Sequence, residues 1–320
     1  MPTPPAPVDR PLPRRIALVG TGLVGASWAV VFARAGYMVR AYDADPAQAP
    51  RARAQILRSL ETLVDYDLLD EPAAQVADRV QFCDTLDDAL AQADYVQESI
   101  AEQLEAKRAL YAELDARLPK RVLLASSTSA FPTSSFAGGL AGESRCLVVH
   151  PVNPPHLIPF TEICGSDATA PETIDTAMQL MRAVGQSPVH VRGEITGFLL
   201  NRLQWSLLAE ACRLVAAGVV TPEAVDQALR DGLGRRWAFM GPFEVGDLNA
   251  PQGLGDYLRR FRPTIRAIDA TSAEQPLELD ESLIDALDAD ARARLQRPRE
   301  QRIADRERAL LELVRLSRRR

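Results

Sequence analysis

The chain has 320 residues, 47% of them hydrophobic and 25% charged, with a net charge of -6 and an isoelectric point near 5.3. That length suits two domains better than one, the composition is that of a soluble globular protein, and the acidic balance gives nucleic acid or an anionic membrane nothing to grip. No stretch approaches the ~18 apolar residues needed to span a bilayer, and four scattered cysteines (Cys83, Cys146, Cys164, Cys212) lack the spacing of a zinc site or disulfide framework, so free thiols in a cytoplasmic protein are expected.

Residues 1–13 are rich in proline without an apolar core and read as a disordered tail, not a signal peptide. Residues 16–19 form a short apolar run that predicts a buried strand. Residues 22–36 predict a helix opened and closed by glycine, and 39–42 a second strand ending at Asp43. Helix is expected over 48–80 with a break near Pro72. Short strands follow at 80–82, 95–97, 122–125, 147–149, 161–164 and 189–191, with helices at 106–118 and 173–184. Beyond Gly193 no strand candidate appears. Residues 198–217 form a long apolar helical stretch, Thr221-Pro222 reads as an N-cap with Pro at the first helical position, and 283–320 is charged and helical. The expected architecture is α/β. A Rossmann-type doubly wound sheet spans residues 14–192, and an all-α C-terminal domain follows at 193–320.

Gly20-Thr21-Gly22-Leu23-Val24-Gly25 fits G-x-G-x-x-G between a strand and a helix, the context in which that pattern becomes specific. Gly20 permits the tight turn, Gly22 lets a pyrophosphate approach the backbone, and Gly25 allows close packing of the helix. The free N–H groups of the first helical turn, at Leu23, Val24 and Gly25, would face the phosphates. Asp43, about 20 residues on, suits a ribose hydroxyl and repels a 2′-phosphate, so NAD is expected rather than NADP.

His150 ends an apolar strand, and Glu162 lies in the next apolar stretch. Two consecutive strands, or a strand and its return, would bring them together as an acid–base pair, the carboxylate fixing the imidazole tautomer. From chemistry alone a strand-end histidine could equally be a satisfied core residue. His156 and His190 have no such partner in sequence and read as structural or exposed.

Four further stretches carry a likeness: Ser126–Ala130 (Ser-Ser-Thr-Ser-Ala), 150–155, 197–204 and 232–242. With them the chain resembles the 3-hydroxyacyl-CoA dehydrogenase superfamily along nearly its whole length, most closely its lambda-crystallin and L-gulonate 3-dehydrogenase branch. The resemblance implies that His150 is the general base and Glu162 its orienting partner. It implies that Ser129 and Asn201 bond the substrate oxygen and the histidine neighbourhood, that Glu102 and Lys107 make cofactor-side contacts, and that the protein is a homodimer.

Five acids in eleven residues (Glu61, Asp65, Asp67, Asp70, Glu71) would repel the phosphates of CoA, although Arg51, Arg53 and Arg58 lie upstream. A small hydroxy acid is therefore the expected substrate, L-gulonate first, with Arg236 as the candidate to grip its carboxylate; its neighbour Arg235 could serve instead, or both could be surface charges. The stretch 248–257 is longer than its counterpart in the animal branch, which keeps L-carnitine and 3-hydroxybutyrate open. The alternatives are a 3-hydroxyacyl-CoA dehydrogenase and a non-catalytic, crystallin-like NAD-binding protein.

Overall fold

A computed structural model describes residues 12–274 and 276–318. The expected disordered tail lies outside the described residues apart from Leu12 and Pro13, and Pro13 is buried. The chain divides into two compact units. One runs to Leu200 and resumes at Arg299; the other is Asn201–Pro298.

In chain order the first unit contains β1 (Arg15–Val19), α1 (Leu23–Arg34), β2 (Met38–Tyr42), α2 (Gln48–Asp65), α3 (Ala73–Ala77), β3 (Val80–Phe82), α4 (Leu86–Leu90), β4 (Tyr95–Glu98), α5 (Leu104–Arg117), β5 (Leu123–Ser126), α6 (Thr133–Ala137), β6 (Cys146–Pro151), β7 (Phe160–Cys164), α7 (Pro171–Ala183) and β8 (Ser187–His190). The strands form one sheet in the order β3-β2-β1-β4-β5-β6-β7-β8. All neighbours pair in parallel except β6 and β7, which are antiparallel. The order of the first six strands reverses between β1 and β4, and in open α/β sheets ligands bind at such a reversal, beyond the strands' carboxyl ends.

Local sequence explains these elements. β1 and β6 are continuous apolar runs because helices cover both faces of the sheet. α1 is buried from Gly25 to Ala33, so its apolar residues need no periodic gap. α2 lies at the surface and buries only Ala52, Ile56, Leu60 and Leu63, one stripe at helical spacing. Two apolar clusters result, one centred on Trp28, Phe32 and Tyr95 and the other on Tyr111, Leu114 and Phe136.

The remaining helices are α8 (Leu200–Ala216), α9 (Pro222–Gln227), α10 (Gly234–Trp237), α11 (Pro242–Leu248), α12 (Leu254–Glu274), α13 (Glu281–Arg294) and α14 (Arg299–Arg318), with a π-helical turn at Ala228–Leu233 between α9 and α10. The Thr221 side chain caps α9 as expected, accepting from the Ala224 N–H at 3.2 Å. The charged segment expected to be helical over 283–320 forms two helices, broken around Pro298, where proline cannot continue the helical bonding. The division into units also differs from a simple cut at residue 193. α14 belongs to the first unit: Leu311, 2% exposed, lies in the cluster of Trp28, with Leu310 and Val314 packed against it. Arg319 and Arg320, at the basic C-terminus, lie outside the described residues. Among the described residues no helix is long and apolar enough to cross a membrane, and no group of His, Cys, Asp and Glu could hold a metal ion.

Candidate active site

The glycine loop joins β1 to α1 at the strand-order reversal. Gly20 has φ +92°, and any side chain there would collide with the Ser99 and Ile100 backbone on the neighbouring strand's exit. A side chain at Gly25 would run into the Gly20 carbonyl, so this glycine is what allows the helix to start so close to the turn. At Gly22 a Cβ would meet nothing within 4 Å; the backbone is open on that side. Asp43 braces the loop, its Oδ2 accepting from the Thr21 N–H at 2.6 Å and the Thr21 hydroxyl at 3.2 Å, and its Oδ1 from the Asp45 N–H at 3.0 Å.

His150 and Glu162 stand directly opposite each other in the antiparallel β6–β7 ladder. Residues so paired project from the same face, and His150 Nδ1 and Glu162 Oε2 are 2.7 Å apart, with both side chains buried. The other oxygen of Glu162 accepts the backbone N–H groups of Leu199 and Leu200, at 2.7 and 2.8 Å, where α8 begins. The carboxylate is thus held by a ring nitrogen on one side and a helix start on the other, where N–H groups without helical partners favour negative charge. The turn into α8 is made by Gly197 and Phe198, both left-handed, with φ +78° and +48°. For phenylalanine that conformation is strained. It buries the ring with its centroid 5.7 Å from that of His150.

A second polar cluster lies where β4 and β5 end. Glu98, 1% exposed, accepts from Lys107 Nζ at 2.8 Å and the Ile100 N–H at 2.7 Å on Oε1, and from the Ser126 hydroxyl at 2.5 Å on Oε2. Lys107 also reaches Glu102 Oε2 at 3.2 Å. The Glu102 Oε1 gathers the Thr128 hydroxyl at 2.6 Å and the N–H groups of Ser129 and Ala130 at 2.8 and 3.1 Å. Burial pushes the Glu102 carboxyl up, but the Thr128 hydroxyl, the Lys107 charge and the Ser129 N–H outweigh it and hold it below the usual carboxylate range. Beside this cluster the Ser127 hydroxyl takes hydrogen bonds from Trp28 Nε1 at 3.1 Å and Gln97 Nε2 at 2.7 Å, tying α1 to the ends of β4 and β5.

The structure therefore joins His150 with Glu162, and Glu102 with Lys107 and Ser129. Lys107 is not the solvated charge its helical setting suggests: it is 1% exposed between two carboxylates. Ser129 is exposed on its loop. Asn201 and Arg236 belong to the second unit; Asn201 is buried in the first turn of α8, and Arg236 is exposed on α10. Sequence reasoning missed Glu98, Ser126, Ser127 and Phe198. An acid closing a buried strand, with a lysine nine residues on, was the available signal for Glu98. Of the other candidates, His190 is exposed, as expected. His156 is more enclosed: its Nδ1 is buried without a protein partner, and burial, with the nearby Arg34 charge, lowers its pKa to about 4. Cys146 and Cys164 are buried thiols pushed up to about 12 by burial. The acidic run is partly neutralised, Glu71 by Arg79 and Asp67 by Arg315 at 3.8 Å.

Comparison with known proteins places this geometry. Residues 15–195 match the family model of the 3-hydroxyacyl-CoA dehydrogenase NAD binding domain, and residues 197–292 that of the 3-hydroxyacyl-CoA dehydrogenase C-terminal domain. The chain is 41% identical to the lambda-crystallin homolog of Bos taurus, over 82% of this chain and 83% of the relative. It is 37% identical to the L-carnitine dehydrogenase of Streptomyces coelicolor, over 94% of both. Among solved structures it superposes on an NAD+-dependent dismutase, 5-formyl-3-hydroxy-2-methylpyridine 4-carboxylic acid 5-dehydrogenase, with a TM-score of 0.76 and 29% identity, over 95% of this chain and 98% of that one. The chain belongs to the 3-hydroxyacyl-CoA dehydrogenase family and is an NAD-dependent oxidoreductase.

Proposed function

We propose that the protein oxidises the 3-hydroxyl of a small L-3-hydroxy acid, L-gulonate before others, with His150 as general base. The observation that carries this reading is the buried 2.7 Å contact between His150 Nδ1 and Glu162. With its Nδ1–H donated to the carboxylate, the imidazole presents an unprotonated Nε2 to take the hydroxyl proton, and Glu162 stabilises the imidazolium that forms. Ser129 and Asn201 hold the substrate oxygen, as the family likeness implies, and Arg236 is the cation we assign to the carboxylate on the chemistry of a small acid.

The residues of the glycine loop fit NAD. The open side of Gly22 gives a pyrophosphate room to approach the backbone, the start of α1 at Leu23, Val24 and Gly25 offers N–H groups, and Asp43 keeps acceptor sites for ribose beyond the bonds it makes to the loop. When bound, NAD supplies the hydride acceptor. The small-acid substrate class is supported by relatives that align over nearly the whole chain and whose names specify a pyridine carboxylic acid and L-carnitine. The near-complete alignment with an L-carnitine dehydrogenase makes L-carnitine the second reading. We also place the protein in the cytoplasm as a homodimer, on the strength of its free cysteines and the exposed apolar side chains of α8 and α11.

The test is a panel of L-gulonate, L-carnitine, L-3-hydroxybutyrate and 3-hydroxybutyryl-CoA scored by NADH absorbance. A highest kcat/KM for L-gulonate supports the first reading and one for L-carnitine the second. Turnover of the thioester alone rejects both, and no turnover at all favours a non-catalytic protein. His150→Ala is expected to lower kcat by at least ~100-fold with NAD affinity retained; an unchanged kcat removes the base from His150. Arg236→Met is expected to raise KM for the acid by about tenfold or more, the loss of a charge-assisted bidentate contact; an equal KM takes Arg236 out of the site.

A further inference from the structure

We infer that Glu98 and Lys107 are positioning residues, a buried pair that clamps the 126–130 loop and so sets where Ser129 stands. The inference rests on the reading of Ser129 as a substrate contact. The clamp has two arms. Glu98 bonds the Ser126 hydroxyl, and that same hydroxyl accepts the Thr128 N–H at 3.2 Å. Glu102 directs one oxygen at Lys107 and the other at Thr128, Ser129 and Ala130. One ammonium joins the arms, with two of its three N–H donors engaged by Glu98 and Glu102.

Stability alone does not explain this arrangement. Glu98 and Lys107 are each 1% exposed while Glu102 reaches the surface, and taking the buried pair out of water has a cost that its mutual attraction has to offset. Apolar residues would fill the space more cheaply. What the ions provide is direction: three consecutive residues, Thr128 buried and Ser129 and Ala130 exposed, are aimed at one oxygen of a carboxylate whose other oxygen is held by the buried Lys107. A reactive geometry is sensitive to such support, since a shift of about 1 Å arising away from the chemistry can cost about 100-fold in rate.

The test uses Lys107→Met, Lys107→Arg, Glu98→Gln and Ser129→Ala in the full chain. For Lys107→Met we expect amide hydrogen exchange across 127–130 to speed up by about tenfold and kcat at saturating NAD to fall by about tenfold or more. Lys107→Arg should recover most of the loop protection. Glu98→Gln drops the charge and keeps one acceptor oxygen, its NH2 standing where an oxygen accepted and the Ser126 hydroxyl turning to accept instead, so it should move both readouts the same way by less, and it stands in if Lys107→Met does not fold. In a Ser129→Ala background, Lys107→Met should cost little further kcat, because residues acting as a unit are not additive.

Full additivity in that cycle, or parent-like exchange across 127–130, overturns the inference; the second result would leave Lys107 with its cofactor-side role alone. A parent-like kcat for Ser129→Ala instead sinks the underlying reading of Ser129, while loop exchange in Lys107→Met still decides the clamp.

Discussion

Within the sheet unit, α1 is buried along nine consecutive residues from Gly25 to Ala33, whereas the longer α8 buries only Asn201 and Cys212. Leu203, Trp205 and Leu208 on α8, and Phe243 and Leu248 on α11, are more than half exposed, and α9, α10 and α13 bury no residue. Both regions are rich in apolar side chains, so composition does not separate them; what differs is whether the same chain supplies the covering surface. A sheet gives each helix a broad apolar floor. Helices without a sheet have no such floor, and contiguous exposed apolar surface marks a place where something else binds. A second copy of the chain is the occupant we propose.

Three changes would break or sharpen this contrast. The largest effect is expected inside the sheet unit from the helix farthest along the chain: Leu311→Ala should cost about 2–5 kcal/mol in urea unfolding, the usual range for a buried leucine. A loss under about 0.5 kcal/mol, typical of a surface position, would detach α14 from that core. Next, His156 should make the sheet unit acid-sensitive. Its folded pKa, about 4, is below the ordinary 6.5 because burial and the Arg34 charge disfavour the cation. Between those values the unfolded chain binds a proton that the folded chain does not, so stability is complete above about pH 6.5 and falls as the pH drops toward 4, by on the order of 2 kcal/mol. His156→Gln should flatten unfolding midpoints measured at pH 7 and pH 5; an unchanged slope would assign the sensitivity elsewhere. The smallest effect on the fold should come from Leu208. Leu208→Ala should alter stability by less than about 0.5 kcal/mol at dilutions where the chain is monomeric, while Leu208→Asp should bring the sedimenting mass down to one chain at concentrations where the parent is larger. A parent that sediments as one chain throughout would leave the exposed faces of α8 and α11 without the partner proposed for them.

The sheet was legible in the sequence because its signals are local. Glycine, apolar run and acid recur within about thirty residues, and the strands from 80 to 191 were located to within a few residues because each is a short apolar run set between turns. The pair His150 and Glu162 was legible as well, on two consecutive strands or a strand and its return; that β7 runs antiparallel to β6 and sets the two directly opposite is what no window of sequence displays. Lys107 shows the limit more sharply. Its helix also carries Glu105, Arg108, Glu113, Asp115 and Arg117, and only the placement of Glu98 behind it turns a surface lysine into a buried one. The division into units escaped for a similar reason, since α14 is as charged as α13 and differs from it only in what Leu310, Leu311 and Val314 meet.

That return of the chain has a consequence for synthesis. Chains generally fold from the N-terminus as they emerge, yet the apolar cluster around Trp28 receives Leu311 from nearly three hundred residues downstream. Until then part of its surface stays open. The helical unit is in effect an insert tied at both ends to a scaffold that is finished last, and a nascent chain halted anywhere before α14 would present an incomplete nucleotide-binding unit to chaperones and proteases.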